Sequence, residues 1–175
     1  MSKAYLKGIL HDGTEREYTY RISQKNEELI EKIVEMVEDL GFDAWTYEEG
    51  DRGVYVVEFS KKAVDGLQIR VLEEKREYVR GYFDAEGGVP QNTDARFYIY
   101  SAQKNKADLE EVKSFVEDLE IETGDLHRPS RESRPNYWRF YIPVSSHNRF
   151  ANEVGSRHPD KEQALEHRAA TPQNR

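Results

Sequence analysis

Asp84 and Glu86 stand directly before Gly87 and Gly88 at the end of the run Tyr78 to Gly88, YVRGYFDAEGG. The Tyr, Val, Gly, Tyr and Phe that lead into them suit a buried helix, and the glycine pair predicts where that helix stops. Such a helix carries two acids at its carbonyl end, which is itself partly negative and repels them. A cation placed there removes the repulsion, so these residue types in this order point to metal-assisted chemistry. The plain alternative is a solvated acid pair ahead of a glycine cap. Against it stands a second run of the same kind, Ala4 to Thr14, AYLKGILHDGT, in which Asp12 precedes Gly13.

The chain has 175 residues, enough for one domain with a substantial core or for two small repeats sharing one. Its 11 Tyr, 7 Phe and 2 Trp add buried area to a hydrophobic fraction of 37%. Cysteine is absent, which excludes disulfides and thiolate metal sites. No apolar run approaches the ~20 residues that span a bilayer, and MSKAYLKGIL has no signal-cleavage pattern. A cytoplasmic protein with no membrane partner is therefore expected.

Residues 3–13 read as the first helix. Glu15 to Ser23 alternates in period two, with Tyr18, Tyr20 and Ile22 on one face, and reads as a half-buried strand. Gln24-Lys25-Asn26 opens a helix to Leu40, with Asn26 as N-cap and Leu29, Ile30, Ile33, Val34 and Val37 as its apolar stripe. A hairpin over 42–59 turns at Glu49 to Gly53. From Glu73 the order repeats: a motif helix to Glu86, a loop over 87–94, a strand over 96–101, and a helix opened by Gln103-Lys104-Asn105 and running to Leu119. A second hairpin pairs 123–127 with 137–143, and 145–154 reads as the last helix.

Gln24, Lys25 and Asn26 map onto Gln103, Lys104 and Asn105 at an offset of 79, and the same offset pairs Val37-Glu38-Asp39-Leu40 with Val116-Glu117-Asp118-Leu119. Identity held in one register over that distance indicates an internal duplication. Gly8 to Gln24 spans 16 positions and Gly81 to Gln103 spans 22, so the first copy lacks six residues, which predicts a shortened first hairpin.

Together the two acid-tipped runs and the two QKN copies resemble the paired motifs of the LAGLIDADG homing endonucleases, over nearly the whole chain. In the second copy Gly81 takes the helix-contact position, Asp84 the first acid, Ala85 the small residue, Glu86 the metal-binding acid and Gly87 the closing glycine. In the first copy, counting from Gly8 without a gap puts His11 at the first acid, Asp12 at the small residue and Gly13 at the metal position. A one-residue deletion instead makes Asp12 the metal acid and Gly13 the closing glycine.

The resemblance implies an α+β fold of two pseudo-symmetric αββαββα-type repeats, packed through their motif helices and forming a β-saddle for DNA. It implies repeats over residues 1–72 and 73–159; the remaining 160–175 is polar and reads as a helical stub followed by disorder. It implies a divalent metal, Mg2+, held by Glu86 and Asp12, with Lys104 and its copy Lys25 as the basic active-site residues just after a saddle strand. Gln103 and Gln24 would orient water. Asp84 becomes a structural acid at the helix crossing, and His11 a polar cap at a helix end.

Charge fits this reading least. The 26 Lys and Arg against 34 Asp and Glu give −8, whereas a protein that neutralises phosphates usually shows a basic footprint. The acids fall largely on outer helix faces, and the hairpins differ. The second carries Arg128, Arg131, Arg134 and Arg139 against Asp125 and Glu132; the first carries Asp43, Glu48, Glu49, Asp51 and Glu58 against Arg52. DNA contact should be lopsided, with Arg96, Arg128, Arg131, Arg134 and Arg139 in the second repeat and Arg21 in the first as candidate contacts. The expected function is site-specific, metal-dependent cleavage of double-stranded DNA by a monomer, biased to one strand through the defective first motif. The alternative is a nucleic-acid binder that has lost catalysis: an intron-splicing maturase, with RNA as partner, or a regulator.

Overall fold

The computed structural model describes residues 2–90, 92, 95–129 and 137–170. In the first repeat α1 (Ser2–Ile9) runs into a 3-10 turn, Leu10–Asp12, followed by β1 (Thr14–Glu15), β2 (Thr19–Gln24), α2 (Glu27–Asp39), β3 (Ala44–Glu48) and β4 (Tyr55–Ser60). In the second come α3 (Leu72–Glu86), β5 (Gly87–Gly88), β6 (Ile99–Gln103), α4 (Lys106–Asp118), β7 (Trp138–Ile142) and α5 (His147–Glu153), and α6 (Pro159–Ala170) closes the described chain. The strands form two antiparallel sheets, ordered β1-β2-β4-β3 and β5-β6-β7. This is the two-repeat α+β arrangement that the sequence predicts.

Each sheet buries one face. Ile22, Val57 and Phe59 pack with Tyr5, Ile9, Leu29 and Ile33 in the first core; Ile99, Phe140 and Ile142 pack with Tyr82, Phe83, Leu109 and Val112 in the second. Period-two alternation fixes what the other face shows. In β6, Ile99, Ser101 and Gln103 share the core side, while Tyr100 is turned outward beside its β7 partner Tyr141. The QKN triplets divide among three jobs: Gln24 and Gln103 end strands, Lys25 and Lys104 lie in the turn, and Asn26 and Asn105 cap the helices, accepting from Leu29 N and Ala107 N, both at 3.0 Å.

The two repeats meet through α1 and α3, whose crossing is set by Gly8 and Gly81. A Cβ on Gly8 would strike the Tyr78 carbonyl and lie 2.8 Å from the Tyr82 nitrogen; one on Gly81 would strike the Tyr5 carbonyl and lie 2.9 Å from the Ile9 nitrogen. Tyr5, Gly8 and Ile9 map onto Tyr78, Gly81 and Tyr82 at one offset of 73, so the contact is reciprocal about a pseudo-two-fold axis.

Several local expectations differ from what is observed. The strand expected over 15–23 is broken: Arg16 N donates to Thr19 O at 2.9 Å, closing a turn between β1 and β2, and Tyr18 is 74% exposed. The chain leaving α1 arrives at the sheet edge and must reverse before it can pair with β2, at Thr14 with Arg21. The six residues absent from the first repeat therefore shorten a connection. They do not shorten a strand, since β1 and β5 are each two residues long.

Gly87 is extended, φ −90° and ψ 167°, so its role is not a left-handed cap; a Cβ there would collide with the Phe83 ring. Residues 123–127 form no strand. They are held to β7 by Gly124 N to Tyr141 O at 2.8 Å and by a single bridge between His127 and Arg139. Among the described residues no helix is long and apolar enough to cross a membrane.

The helix crossing yields a stability prediction. Gly8→Ala and Gly81→Ala each force backbone apart and should cost about 1–3 kcal/mol or more. Urea denaturation checks this, with each variant lowering the midpoint.

Candidate functional site

The crossing carries the carbonyl ends of both motif helices to one place. There the two copies differ by one residue and converge in geometry. A 3-10 turn rises about 2.0 Å per residue against about 1.5 Å in an α-helix. The three residues Leu10 to Asp12 thus cover the length that the four residues Phe83 to Glu86 cover in the other helix. Gly13 (φ −89°, ψ 163°) then has the backbone conformation of Gly87. Asp12 Oδ2 accepts from Gln24 Nε2 at 3.0 Å, and Glu86 Oε1 accepts from Gln103 Nε2 at 2.8 Å. Of the two alignments open in the sequence, this geometry matches the one with Asp12 opposite Glu86.

Both carboxyls are pushed above their ordinary range. For Glu86 burial is the main cause, with the charge of Asp12 adding to it and the Gln103 hydrogen bond, Lys161 and Lys104 opposing it. For Asp12 burial again leads, opposed by Gln24 and Lys161. Gln103 is held at both ends, since its Oε1 also accepts from Lys104 N at 2.7 Å. One N–H of its amide fixes Glu86, which leaves the second N–H for water or substrate. Lys104 is exposed, with its ammonium 5.7 Å from the Tyr137 ring centre and its charge felt by Glu86. Lys25 is exposed and lines a cavity of about 530 Å³ with Gln24, Gly87, Gly88, Tyr100 and Lys161.

Lys161 is the residue sequence reading missed. It comes from α6, within the segment expected to be a polar tail, and its Nζ donates to the Phe83 and Asp84 carbonyls at 2.8 and 2.7 Å. The acid-tipped helix end thus holds an ammonium group of the chain itself. Burial lowers the pKa of Lys161, while Asp84, Asp12 and Glu86 act to raise it. Nothing in the letters around Lys161 announces this, because the contact spans 77 residues.

Asp84 and His11 sit on opposite sides of the crossing, each bonded to a tyrosine of the other helix. Asp84, 2% exposed, accepts from Tyr5 Oη at 2.6 Å, from Arg157 N at 2.9 Å and from Ser156 Oγ. Three donors from the chain itself thus hold its carboxylate. His11 Nε2 lies 2.7 Å from Tyr78 Oη, and the ring contacts Tyr82 edge-on. His11 is therefore the first-repeat counterpart of Asp84, and burial lowers its pKa.

The outer sheet faces differ in what their cations touch. On the first, Arg21 is tied to Glu49 at 2.7 Å and to Tyr47 Oη at 3.1 Å, while Glu58 receives Thr19 Oγ1 at 2.6 Å and pairs with Arg16 at 3.3 Å. Trp45 and Tyr47 are 53% and 43% exposed beside them. On the second, Arg139 lies over Tyr100 at 4.2 Å and donates to Tyr141 Oη at 3.1 Å. Arg128 lies over Trp138 at 4.5 Å, and Arg96 is exposed ahead of β6. Arg131 and Arg134 fall outside the described residues.

Two carboxylates, desolvated and pressing on one another, form a hard oxygen donor set of the kind Mg2+, Mn2+ and Ca2+ take. No group of three or more His, Cys, Asp or Glu is gathered among the described residues, so an ion here would complete its shell from water and a phosphate. The residues fit a divalent cation shared with a phosphodiester.

Two acid-tipped helices crossing at glycines, each followed by its own sheet, define the LAGLIDADG type of α+β protein. Residues 73–155 match the family model of the LAGLIDADG-like domain. The chain is similar to homing endonuclease I-ApeI of Aeropyrum pernix, at 25% identity over 92% of this chain and 84% of that protein. It is also similar to the crystal structure of I-DmoI in complex with DNA and Mn (TM-score 0.68, 20% identity, 90% of this chain and 97% of that one). The full-length DUF199/WhiA structure from Thermatoga maritima shares the fold at a TM-score of 0.70 and 11% identity, over 99% of this chain and 62% of that one. Residues 73–155 thus carry a LAGLIDADG-like domain, and the chain as a whole shares the fold of I-DmoI.

The Tyr5 to Asp84 bond joins the two repeats inside the protein. Tyr5→Phe leaves a buried carboxylate short of one donor and should cost about 1.5–3 kcal/mol, read as a lowered denaturation midpoint with no change in secondary structure by circular dichroism.

Proposed function

We propose that the chain is an endonuclease that hydrolyses phosphodiester bonds of double-stranded DNA, using a divalent metal held by Asp12 and Glu86. The observation that carries this is the matched clamp: two acids from different repeats, each fixed by the glutamine of its own repeat, at helix ends that meet. Supporting it, I-ApeI is a homing endonuclease, and I-DmoI has been crystallised with DNA and Mn and with DNA and Ca. We take Mg2+ as the working ion and a monomer as the working form, since the two-fold arrangement is already present within one chain.

When bound, the metal supplies Lewis-acid polarisation and charge neutralisation at the scissile phosphate. The chain's residues supply the rest. Asp12 and Glu86 attract the ion, Gln24 and Gln103 fix the carboxylate orientations, and exposed Lys104 beside Glu86 can meet negative charge developing on the phosphate. Arg139, braced on Tyr100 and Tyr141, suits a phosphate contact. The strand bias rests on a misplaced first metal acid, and the loss of catalysis rests on that and on the acidic first hairpin. Asp12 clamped as Glu86 is supports a working first site, and we propose that both strands are cut.

The test is cleavage of a plasmid library with and without Mg2+. Glu86→Gln should slow cutting at least roughly 100-fold, since even outer-shell partners of a metal cost 10–100-fold, while gel-shift binding to DNA persists. Asp12→Ala should slow both strands comparably. Wild-type protein that cuts nothing in Mg2+ or Mn2+, or Glu86→Gln that cuts normally, would overturn the reading. Separately, Arg139→Ala should weaken DNA binding across sequences and reduce the slope of log affinity against log salt by roughly 1.

A further inference from the structure

Residues 156–170 lie beyond the part of the chain that matches the family model, yet they are hydrogen-bonded to α3 and lie against Tyr5 of α1. Ser156 and Arg157 N hold Asp84; the Arg157 guanidinium pairs with buried Glu77 at 2.8 Å and lies 5.0 Å from the Tyr5 ring centre. Lys32 of α2 donates to Arg157 O at 3.2 Å, which ties the segment to the first repeat as well. Buried Leu165 anchors α6 in the second core. A helix held this firmly presents Lys161 at a fixed place. Its ammonium spans two of the last carbonyls of α3, the negative end of the helix dipole, and is felt electrostatically by both Asp12 and Glu86.

We propose that Lys161 is a tethered cation that weakens the hold of Asp12 and Glu86 on free divalent ions, so that the site takes up its metal firmly only when a phosphodiester is also present. This rests on the reading of those two acids as the metal site. Three carboxylates and a helix terminus converge here, and one fixed positive charge offsets part of their repulsion in the absence of metal. The same charge repels an arriving divalent ion. DNA phosphate brings the negative charge that offsets the lysine, so metal retention becomes coupled to substrate. Lys161 is a positioning residue in this scheme, acting through the field at the acids without touching the scissile bond.

The experiment is calorimetric titration of the DNA-free protein with Ca2+ and, separately, Mn2+. Replacing the ammonium by a neutral amide, Lys161→Gln, should tighten divalent binding about 10-fold or more, because a unit charge is removed from beside a doubly charged ion. Lys161→Arg should match the wild type. Adding Glu86→Gln to Lys161→Gln should abolish the gain, which locates it at this site. If Lys161→Gln does not fold, Lys161→Met, which keeps the length of the side chain, carries the same expectation. Affinity within twofold of wild type, or weaker, overturns the proposal, since Lys161 would then only brace the helix end. Because no DNA is present, the outcome separates from the nuclease reading. A 10-fold gain with no plasmid cleavage leaves the lysine's role standing and removes the nuclease. Cleavage without the gain does the reverse.

Discussion

The approach of α1 to α3 at Gly8 and Gly81 is the constraint on which the rest of the molecule depends. Each glycine faces a backbone carbonyl of the other helix, so no side chain separates the two at the crossing. Helices that touch backbone to backbone cannot slide without collision, and their ends are held in register as a result. Tyr5 and Tyr78 then reach across to Asp84 and His11, converting a packing contact into two hydrogen-bonded links. Those links lie on one layer of the crossing, and the acids Asp12 and Glu86 lie on the next, toward the helix ends. Loosening the first layer would separate the second, so the placement of the two acids is set by a contact in which neither takes part.

A carboxylate at a helix carbonyl end is unfavourable, and two brought together are more so. The chain accepts this cost at Asp12 and Glu86 and offsets part of it locally. A glutamine amide donates to each, and Lys161 lies on the carbonyls beneath them. The raised carboxyl pKa values show that the compensation is incomplete. An incompletely neutralised acid pair is what gives a site affinity for a cation; had the offset been complete, a metal would gain nothing by arriving.

The sequence made the architecture readable because duplication left identical letters in register: QKN and VEDL recur at one spacing, and alternating or helical periodicity around them names the strands and helices. It made Glu86 readable because that motif copy is intact. Asp12 was ambiguous in the letters because a deletion there is absorbed by a change of helix type, and propensity does not announce a 3-10 turn. The turn at residues 16–18 was hidden for a related reason. The period-two pattern of EREYTYRIS continues through it, and only pairing of β1 with β2 forces the reversal. Lys161 and Arg157 were not legible at all, since their partners lie more than seventy residues away and no local spacing encodes them.

The unequal sheet faces follow from the same duplication. Arg21 in the first repeat corresponds to Tyr100 in the second, and their surroundings have diverged accordingly. Around Arg21 the cations are consumed by Glu49 and Glu58; around Tyr100 a cation lies on aromatic rings, where it keeps its charge available. A net charge of −8 is therefore compatible with a nucleic-acid surface, because the acids that produce it pair internally on one sheet or lie on helices away from the other. Binding strength would then come mainly from the second sheet and its arginines. The first would contribute its exposed Trp45 and Tyr47, which offer apolar contact in place of phosphate neutralisation. Two sheets related by duplication have in this way diverged, one keeping a cation on aromatic rings and the other pairing its cations with acids and exposing Trp45 and Tyr47.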